Sequence, residues 1–246
     1  MRIVVLNVWG GRVQSAFTDF FRKYADKVDV FCLQEVYKDA SGPFRETPFE
    51  AVAKLESFSV LEKLLPEHEL IFHPSFRDAY GICICIRKSL RILEVGESFI
   101  YKYKGYVPDG DMGRHARNMQ YAVVDNASPL TIVNVHALWN GLGKGDSDER
   151  LDQSKNIVRT LNELPKPVVL CGDFNLDPNT ESIQMIERTS LRNLIGEYSI
   201  TSTRTPLYEK PGKFADYCFV SPGVHVKDFQ VLPDVVSDHA PLLLEI

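Results

Sequence analysis

Short apolar runs separated by polar turns occur along most of the chain and predict many β-strands. The predicted strands are residues 2–8, 28–34, 69–73, 80–87, 91–101, 118–125, 130–136, 167–171, 215–220, 224–231 and 240–245. Two neighbouring pairs, 80–87 with 91–101 and 118–125 with 130–136, are separated by short turns and predict antiparallel hairpins.

Apolar residues at helical spacing predict three helices between these strands, over 15–26, 50–65 and 147–164. Asp146, with Glu149 three residues later, has the pattern of a cap at the start of the last helix. This many strands with so few helices does not suit a simple alternating parallel sheet. The fold class we expect is α/β, with two packed mixed, mostly antiparallel β-sheets flanked by helices.

The charge balance restricts the kinds of partner that the protein can have. The chain has 246 residues, of which 44% are hydrophobic and 25% charged, and a formal net charge of −5. This balance disfavours a protein that coats duplex DNA through positive charge, but it allows an enzyme with a cation in its site. Since no segment has the composition of a flexible boundary, we expect one domain over 1–246.

Five cysteines lie inside apolar runs, and their spacing fits no zinc motif. They are Cys32, Cys83, Cys85, Cys171 and Cys218. Buried, reduced thiols indicate a reducing compartment, so we expect a cytoplasmic protein. The sequence shows no signal peptide, and no apolar run approaches the roughly 20 residues that span a bilayer, so we expect no membrane partner.

Polar side chains occur at the ends of six apolar strands. Singly, each has an ordinary explanation as a turn former, a cap or a solvated acid. Gathered at one rim, they would form a site for a hard cation with acid–base partners, and oxygen ligands suit magnesium, manganese or calcium better than zinc. The main residues in this pattern are Asn7, Glu35, His136, Asp173, Asn175, Asp216, Asp238 and His239.

The order of these residues resembles the endonuclease/exonuclease/phosphatase superfamily. The motifs that carry the resemblance are LNVWG, LQEV, VNVHA, LCGDFN, FADYCFVS and VSDHAPL, and they extend from Asn7 to His239. The resemblance implies a four-layer α/β sandwich like that of deoxyribonuclease I, with the site at one edge. It also implies magnesium-dependent hydrolysis of phosphodiesters, with manganese as a plausible substitute.

The resemblance further implies a role for each motif residue. Glu35 is similar to the principal metal ligand of the family, and Asn7 and Asp238 to further members of its metal site. Asp173 is similar to the general base that activates the attacking water. Asn175, two residues on, would face the same way in an extended segment and position that water.

Two histidines resemble the family's phosphate-binding groups. His239 is similar to a donor to the phosphoryl oxygens, and Asp216 to the carboxylate that orients it and stabilises its charge. His136 resembles a histidine that some members use as a phosphate donor or general acid. Because no serine or cysteine in the motifs has a base partner, we expect in-line attack by water without a covalent enzyme intermediate.

The loops supply candidate substrate contacts. Residues 99–117 interleave tyrosines with basic residues, which suits a single-stranded nucleic-acid groove or, equally simply, a hairpin with tyrosines inward and lysines outward. We predict phosphate contacts from Arg114 and Arg117 in this segment. Trp139 and Asn140 in the glycine-rich segment 139–147, and Thr203 in 201–213, complete the predicted substrate-binding set.

Three functions are consistent with these residues. The first is a nuclease or nucleic-acid-end phosphodiesterase, preferring single strands or ends. The second is a phosphatase or phosphodiesterase acting on a small molecule or lipid head group. The third, a catalytically silent binding module, is disfavoured because the expected acids and histidines are all present. Trp9 stands where apurinic endonucleases usually carry a polar residue, and Phe214–Tyr217 departs from the inositol 5-phosphatase motif. We expect a monomer.

Overall fold

Two six-stranded β-sheets form the centre of the protein in the computed structural model, which describes residues 1–246 except for 46, 48, 49 and 52. The strands are β1 (Arg2–Asn7), β2 (Val30–Tyr37), β3 (His68–Phe76), β4 (Tyr80–Arg87), β5 (Ile92–Tyr101), β6 (Arg117–Asn126), β7 (Ser128–His136), β8 (Val168–Asp173), β9 (Arg192–Asn193), β10 (Asp216–Val220), β11 (Asp228–Val231) and β12 (Leu242–Glu245).

The order of strands is β11-β12-β1-β2-β4-β3 in the first sheet and β5-β6-β7-β8-β10-β9 in the second. In each sheet one central pair is parallel, β1 with β2 and β7 with β8, and the other pairs are antiparallel. The predicted fold class, two mixed and mostly antiparallel sheets, is confirmed.

Helices cover the outer faces of the two sheets. They are α1 (Gln14–Tyr24), α2 (Ser57–Leu64), α3 (Asp148–Glu163), α4 (Glu181–Glu187) and α5 (Leu194–Glu197), with short 3₁₀ turns at Trp9–Gly11 and Met112–Arg114. Helices α1 and α2 pack on the first sheet, and α3 and α4 lie against the second. No helix in the described part of the chain is long and apolar enough to cross a membrane.

Successive residues of the central strands pack into two different cores. Ile3 and Val5 of β1 lie in the core between the sheets, whereas Val4 and Leu6 pack in the layer beneath α1 and α2. Strands that are buried on both faces need continuous apolar runs rather than alternating ones. This explains why IVVL in β1 and VFCL in β2 contain no polar residue.

The side chain of Asn134 on β7 holds the two sheets together by hydrogen bonds. Its amide nitrogen donates to the carbonyl oxygens of Leu33 (3.0 Å) and Cys83 (3.3 Å) in the first sheet. Its amide oxygen accepts a 2.6 Å hydrogen bond from Gln34 of β2. Because these groups are buried and have few alternative partners, they determine how the sheets align.

One of the two predicted hairpins is wrong. Strands β6 and β7 form the expected hairpin, with Asn126 opposite Ser128. Strands β4 and β5 do not pair, because both edges of β4 are already occupied by β2 and β3. The chain therefore crosses to the second sheet after Arg87, and β5 pairs with β6 at the free edge there.

The helix predictions also need correction. The helix predicted over 50–65 begins only at Ser57; residue 52 lies outside the described residues, and the described residues from 50 to 56 form turns and bends. The short elements α4, α5 and β9 were not predicted. Asp146 does not cap α3, where the Ser147 hydroxyl accepts from the Arg150 N–H.

Asp146 instead binds the start of α4. Its carboxylate accepts hydrogen bonds from the backbone N–H groups of Glu181 (2.8 Å) and Ser182 (3.0 Å), and from the Ser182 hydroxyl (2.6 Å). Free N–H groups at a helix start need such acceptors. The carboxylate thereby links the loop before α3 to α4.

We expect Asp146→Ala to lower the free energy of unfolding by about 1–2 kcal/mol, because it leaves the first N–H groups of α4 without this acceptor. Urea unfolding measures this. Asp152→Ala is the matched control, since that carboxylate is 70% exposed and pairs only with Lys155 in the described structure. Equal losses in the two variants would contradict the linking role of Asp146.

The burial of His68 predicts that the stability of the fold decreases at acidic pH. Its Nε2 lies 3.0 Å from the Val28 carbonyl, and burial lowers its pKa below the ordinary value of 6.5. The unfolded chain therefore binds a proton more readily, so the stability that neutral His68 contributes is present above about pH 6.5 and is lost as the pH falls. We expect His68→Gln to lose less stability between pH 7 and pH 5 than the wild type, measured by urea unfolding. Parallel curves for the two proteins would argue against it.

Candidate active site

The polar strand ends meet at one edge of the molecule, where the two parallel pairs finish. Asn7 at the end of β1 lies opposite Gln34 of β2, where the parallel pairing stops, and His136 lies opposite Asp173 at the ends of β7 and β8. Strand β10 begins at the same edge, because Asp216 pairs with Asp173. The fold thus brings both sheets' polar ends together.

Gly172 allows β8 to approach β7 closely just before this edge. Its φ of +136° is a backbone conformation that side chains disfavour, and a Cβ there would lie 2.0 Å from the Val135 carbonyl oxygen. Glycine is therefore required at this position. The result is that Asp173 is held directly beside His136.

A bulge in β2 aims Glu35 into the site. The pairing of β2 with β4 shifts between Gln34 and Val36, and Glu35 adopts a left-handed φ of 61°. Such a conformation costs about 1–3 kcal/mol in a residue with a side chain, and it is found most often at functional sites. The bulge lets Gln34 point into the buried sheet interface while its neighbour faces the cavity.

The amide of Asn7 connects Glu35 and Asp173 across the two sheets. Its nitrogen donates to a Glu35 carboxylate oxygen at 3.1 Å and to an Asp173 oxygen at 3.0 Å. The other Asp173 oxygen accepts from the Asn175 backbone N–H at 2.9 Å. Asn175 has a left-handed φ of 55°, so the extended segment that we predicted there is absent, although its side chain still lines the site.

His239 is oriented by Asp216. The His239 Nδ1 lies 2.9 Å from both Asp216 carboxylate oxygens, and its Nε2 lies 3.7 Å from Asp173. Burial lowers the pKa of His239, but the carboxylates of Asp216 and Asp173 outweigh it, so the pKa is raised overall. The protonated imidazole, a donor to anions, is therefore favoured.

His136 is held in the opposite charge state. Burial and the adjacent Arg117 guanidinium move the pKa of His136 well below its ordinary value. The guanidinium nitrogen Nη1 of Arg117 lies 3.0 Å from Nε2 and 3.2 Å from Nδ1 of this ring. Neutral imidazole can donate one hydrogen bond to a phosphoryl oxygen, so this position suits a donor better than a general acid.

Asp173 remains ionised although it is buried. Burial raises its pKa, but the charges of His239, Lys144 and Arg204 lower it by more, and the pKa lies below its ordinary value. A buried carboxylate that stays anionic can orient a water molecule and accept its proton.

Glu35 is the carboxylate that best fits a cation. Burial raises its pKa, and the nearby Asp238 and Asp173 add to this. Among the described residues, its polar contacts within 4 Å are the Asn7 amide nitrogen at 3.1 Å and His136 Nε2 at 3.9 Å. The charge of His239 lowers the pKa of Glu35 only from a greater distance, and no lysine or arginine of the described residues pairs with the Glu35 carboxylate. Asp238, by contrast, pairs with Arg204 at 3.2 Å. Asn7 presents its nitrogen to Glu35, so it would ligate a cation only after turning its amide.

A second arrangement of possible ligands lies close by. Asp173, Asp216 and His239 place one ligand-type atom each within 4.8 Å of one another. The hydrogen bond between His239 and Asp216 already satisfies part of this set. The chemistry of the donors therefore favours Glu35, with Asn7 and Asp238 around it, as the position for a hard cation such as magnesium.

A cavity of about 780 Å³ opens over these residues and has two different walls. We call the side formed by Tyr37, Phe44, Phe76, Tyr80, Met112 and His115 the aromatic wall. The basic wall on the other side contains Trp139, Lys144, Arg204, Tyr208 and Lys210. A second concave region of similar volume, between α4 and α5, contains none of the strand-end residues.

Two of the five predicted substrate-binding residues line this cavity, Arg117 and Trp139. Arg114 lies elsewhere, with its guanidinium paired to Glu149. The Asn140 side chain accepts from the Leu142 N–H within its own loop. These two side chains satisfy local groups instead of facing the cavity.

Thr203 is also absent from the cavity wall. Its hydroxyl accepts from the backbone N–H groups of Ala215 (3.1 Å) and Asp216 (3.2 Å), which positions the start of β10. Its contribution in this structure is to place Asp216 rather than to touch a substrate.

Lys144 was not among the predicted site residues, whereas Arg204, Tyr208 and Lys210 lie in the segment 201–213, for which the sequence allowed either a wall of the site or a plain surface loop. Lys144 follows a glycine in a loop, and nothing in the local sequence distinguishes it from a solvated lysine. In the fold it is buried and donates to the Asn175 side chain. Only the folding of segments 139–147 and 204–210 over the strand ends brings these residues to the cavity.

The Endonuclease/Exonuclease/phosphatase family matches residues 4–239, and the chain belongs to this family of phosphate-ester hydrolases. No curated protein sequence matches the chain.

Solved structures with the same deoxyribonuclease I-like fold include a mannosyl-6-phosphatase from Bacteroides thetaiotaomicron VPI-5482, with a TM-score of 0.75 and 18% identity over 100% of this chain and 98% of that one. For an endonuclease/exonuclease/phosphatase family protein from Leptotrichia buccalis C-1013-b, the TM-score is 0.74 and the identity 20%, over 100% of this chain and 99% of that one. For the 2',3'-cyclic phosphatase ANGEL2, the TM-score is 0.68 and the identity 16%, over 99% of this chain and 93% of that one.

The position of the cation can be tested by metal binding alone. The chain's two tryptophans, Trp9 and Trp139, both line the cavity, so their fluorescence reports on it. We expect Glu35→Gln to weaken magnesium and manganese binding at least tenfold, because it removes the carboxylate that has no lysine or arginine partner among the described residues. Asp216→Asn should change the affinity by less than threefold. A larger loss of metal affinity in Asp216→Asn than in Glu35→Gln would place the cation at Asp173, Asp216 and His239.

Proposed function

We propose that this protein hydrolyses a compact phosphate ester by in-line attack of water, with a divalent cation, magnesium or manganese, as cofactor. The observation that carries the proposal is geometric: the buried Asp173 carboxylate lies 3.7 Å from Nε2 of His239, whose Nδ1 faces Asp216 at 2.9 Å, and both Asp173 and His239 line the cavity. A base beside an anion-binding donor is the arrangement that water attack on a phosphoryl group needs.

The residues divide the chemistry between them. Asp173 accepts the proton of the attacking water, and the Asn175 side chain, held by Lys144, helps to position that water. His239 and His136 donate hydrogen bonds to the phosphoryl oxygens. A divalent cation at Glu35 would neutralise the phosphate and stabilise the leaving oxygen.

The composition of the cavity supports water as the nucleophile. Among the described residues, the side chains that line it include no serine, threonine or cysteine. The absence of these hydroxyls and thiols favours direct hydrolysis over a phosphorylated enzyme intermediate.

The size of the cavity supports a compact substrate. A volume of about 780 Å³ is typical of small-molecule sites and would hold a sugar phosphate, a nucleotide or the end of a strand. The tyrosines and lysines of 101–106, which suggested a nucleic-acid groove, do not line it. Two proteins of the same fold are a mannosyl-6-phosphatase and a 2',3'-cyclic phosphatase, which is consistent with small or terminal phosphate esters.

Action on nucleic-acid ends is the second candidate. Tyr103 is 66% exposed and packs edge-to-face on Tyr106 beside Lys102, so an aromatic–basic surface does exist outside the cavity. A single-stranded nucleic acid whose end enters the cavity could stack its bases on this surface. The five free, buried cysteines support a cytoplasmic location for either activity.

We expect magnesium-dependent release of phosphate from sugar phosphates or nucleotides that EDTA abolishes, and a loss of about 10²–10⁴-fold in kcat for Asp173→Asn. The same assay on labelled single-stranded and double-stranded DNA tests the second candidate. Asp152→Asn, an exposed carboxylate on α3, is the control and should keep full activity. Undiminished turnover by Asp173→Asn would rule out the proposed base.

A further inference from the structure

We propose that Lys144 and Lys210, which both contact the ring of Trp139, form a second anion subsite that binds a second phosphate of the substrate. The inference rests on the proposed phosphoesterase function, since it places this group next to the phosphate that is hydrolysed. It predicts a substrate class, small molecules that carry two phosphates.

The geometry of the subsite is defined by one indole ring. The ammonium nitrogen of Lys144 lies 5.2 Å from the centroid of the Trp139 ring, and that of Lys210 lies 5.3 Å from it. Both distances are within the range of cation–π attraction. The ring therefore draws two like charges to one part of the basic wall.

Neither ammonium group is neutralised by the protein. Within the described residues no carboxylate lies within 4 Å of Lys144 or Lys210, although Glu209 also lines the cavity. Arg204 differs, because Asp238 already pairs with it. The two lysines are thus the cations of this wall that remain available to an anionic ligand.

Lys144 is also costly to keep charged where it lies. Its side chain is buried, and burial lowers its pKa to about 8, against the opposing charge of Asp173. A buried cation gains most from a directly bound anion, since water no longer stabilises it. An acidic protein with a formal charge of −5 that nevertheless concentrates unpaired lysines here has a local site for an anion.

Hydrogen bonds connect the subsite to Asp173, the proposed general base. Lys144 donates to the Asn175 side-chain oxygen, and Asn175 in turn binds Asp173 through its backbone N–H. Lys210 is exposed and lies farther out on the segment that carries Arg204 and Tyr208. A second phosphate bound between the lysines would therefore lie on the basic wall, beside Trp139 and Asn175.

Binding can be measured without the metal and without turnover. In a Trp9→Phe background, Trp139 is the only tryptophan and its fluorescence reports on the subsite. In EDTA we expect fructose 1,6-bisphosphate or adenosine 3′,5′-bisphosphate to bind roughly tenfold tighter than fructose 6-phosphate or AMP, as one charge-assisted contact provides. Comparing the fructose pair with the adenosine pair shows whether the second phosphate is recognised on a sugar or on a nucleoside.

Lys210→Met should remove this difference, and Lys213→Met, an exposed lysine of the same segment, should leave it unchanged. In the otherwise wild-type protein with magnesium, Lys210→Met should lower the ratio of kcat/KM for the two-phosphate over the one-phosphate substrate about tenfold. This kinetic ratio remains informative if the Trp9→Phe background does not fold.

Equal binding of one-phosphate and two-phosphate compounds, or a ratio that Lys210→Met does not change, would overturn the second subsite. Failure of the proposed function would look different. In that case no phosphate would be released from any compound, while the two-phosphate compounds would still bind more tightly in EDTA.

Discussion

The hydrogen bonds of Asn134 in the interface between the sheets are the constraint on which the site depends. The candidate site residues are divided between two sheets: Asn7 ends β1 and Glu35 lies at the bulge of β2 in the first, and His136 and Asp173 end β7 and β8 in the second. Contacts of about 3 Å between the two groups exist only if the sheets keep one alignment. Apolar packing alone tolerates small sliding, whereas buried amide hydrogen bonds have defined partners and directions. The polar groups in the interface therefore set the geometry on which the chemistry relies.

The electrostatics of the site follow from this alignment. Asp173 lies among cations that come from several loops and strands, and it stays ionised despite burial. Asn7 bonds to both Asp173 and Glu35, yet in the part of the chain that the structure describes no lysine or arginine pairs with Glu35. Two carboxylates joined by one amide thus have opposite surroundings, one suited to holding a proton acceptor and the other to binding a metal. The proposed division into base and metal ligand is consequently a property of position and not of residue type.

Much of the fold and the centre of the site could be predicted from the sequence, because strand ends are marked by a change from apolar to polar residues. Pairing was harder to predict: whether β4 meets β5 depends on which sheet edges are free, and β4 had none. Asp146 illustrates a similar limit, since its partner α4 is 35 residues away in the chain. The cavity walls were least predictable. Lys144 and Arg204 reach the cavity through the conformation of their loops. Arg114 pairs with Glu149 and does not line the cavity.

The contrast between Gly172 and the loops around the cavity has a consequence for how such a protein can change over evolutionary time. Position 172 has no room for any side chain, so the spacing between β7 and β8, and with it the place of the proposed base Asp173, is closed to variation. Pro206, Leu207, Glu209 and Lys210 on the cavity wall are exposed and can accept substitutions without disturbing a strand. A lineage built on this scaffold would therefore keep its reaction while exchanging one substrate for another.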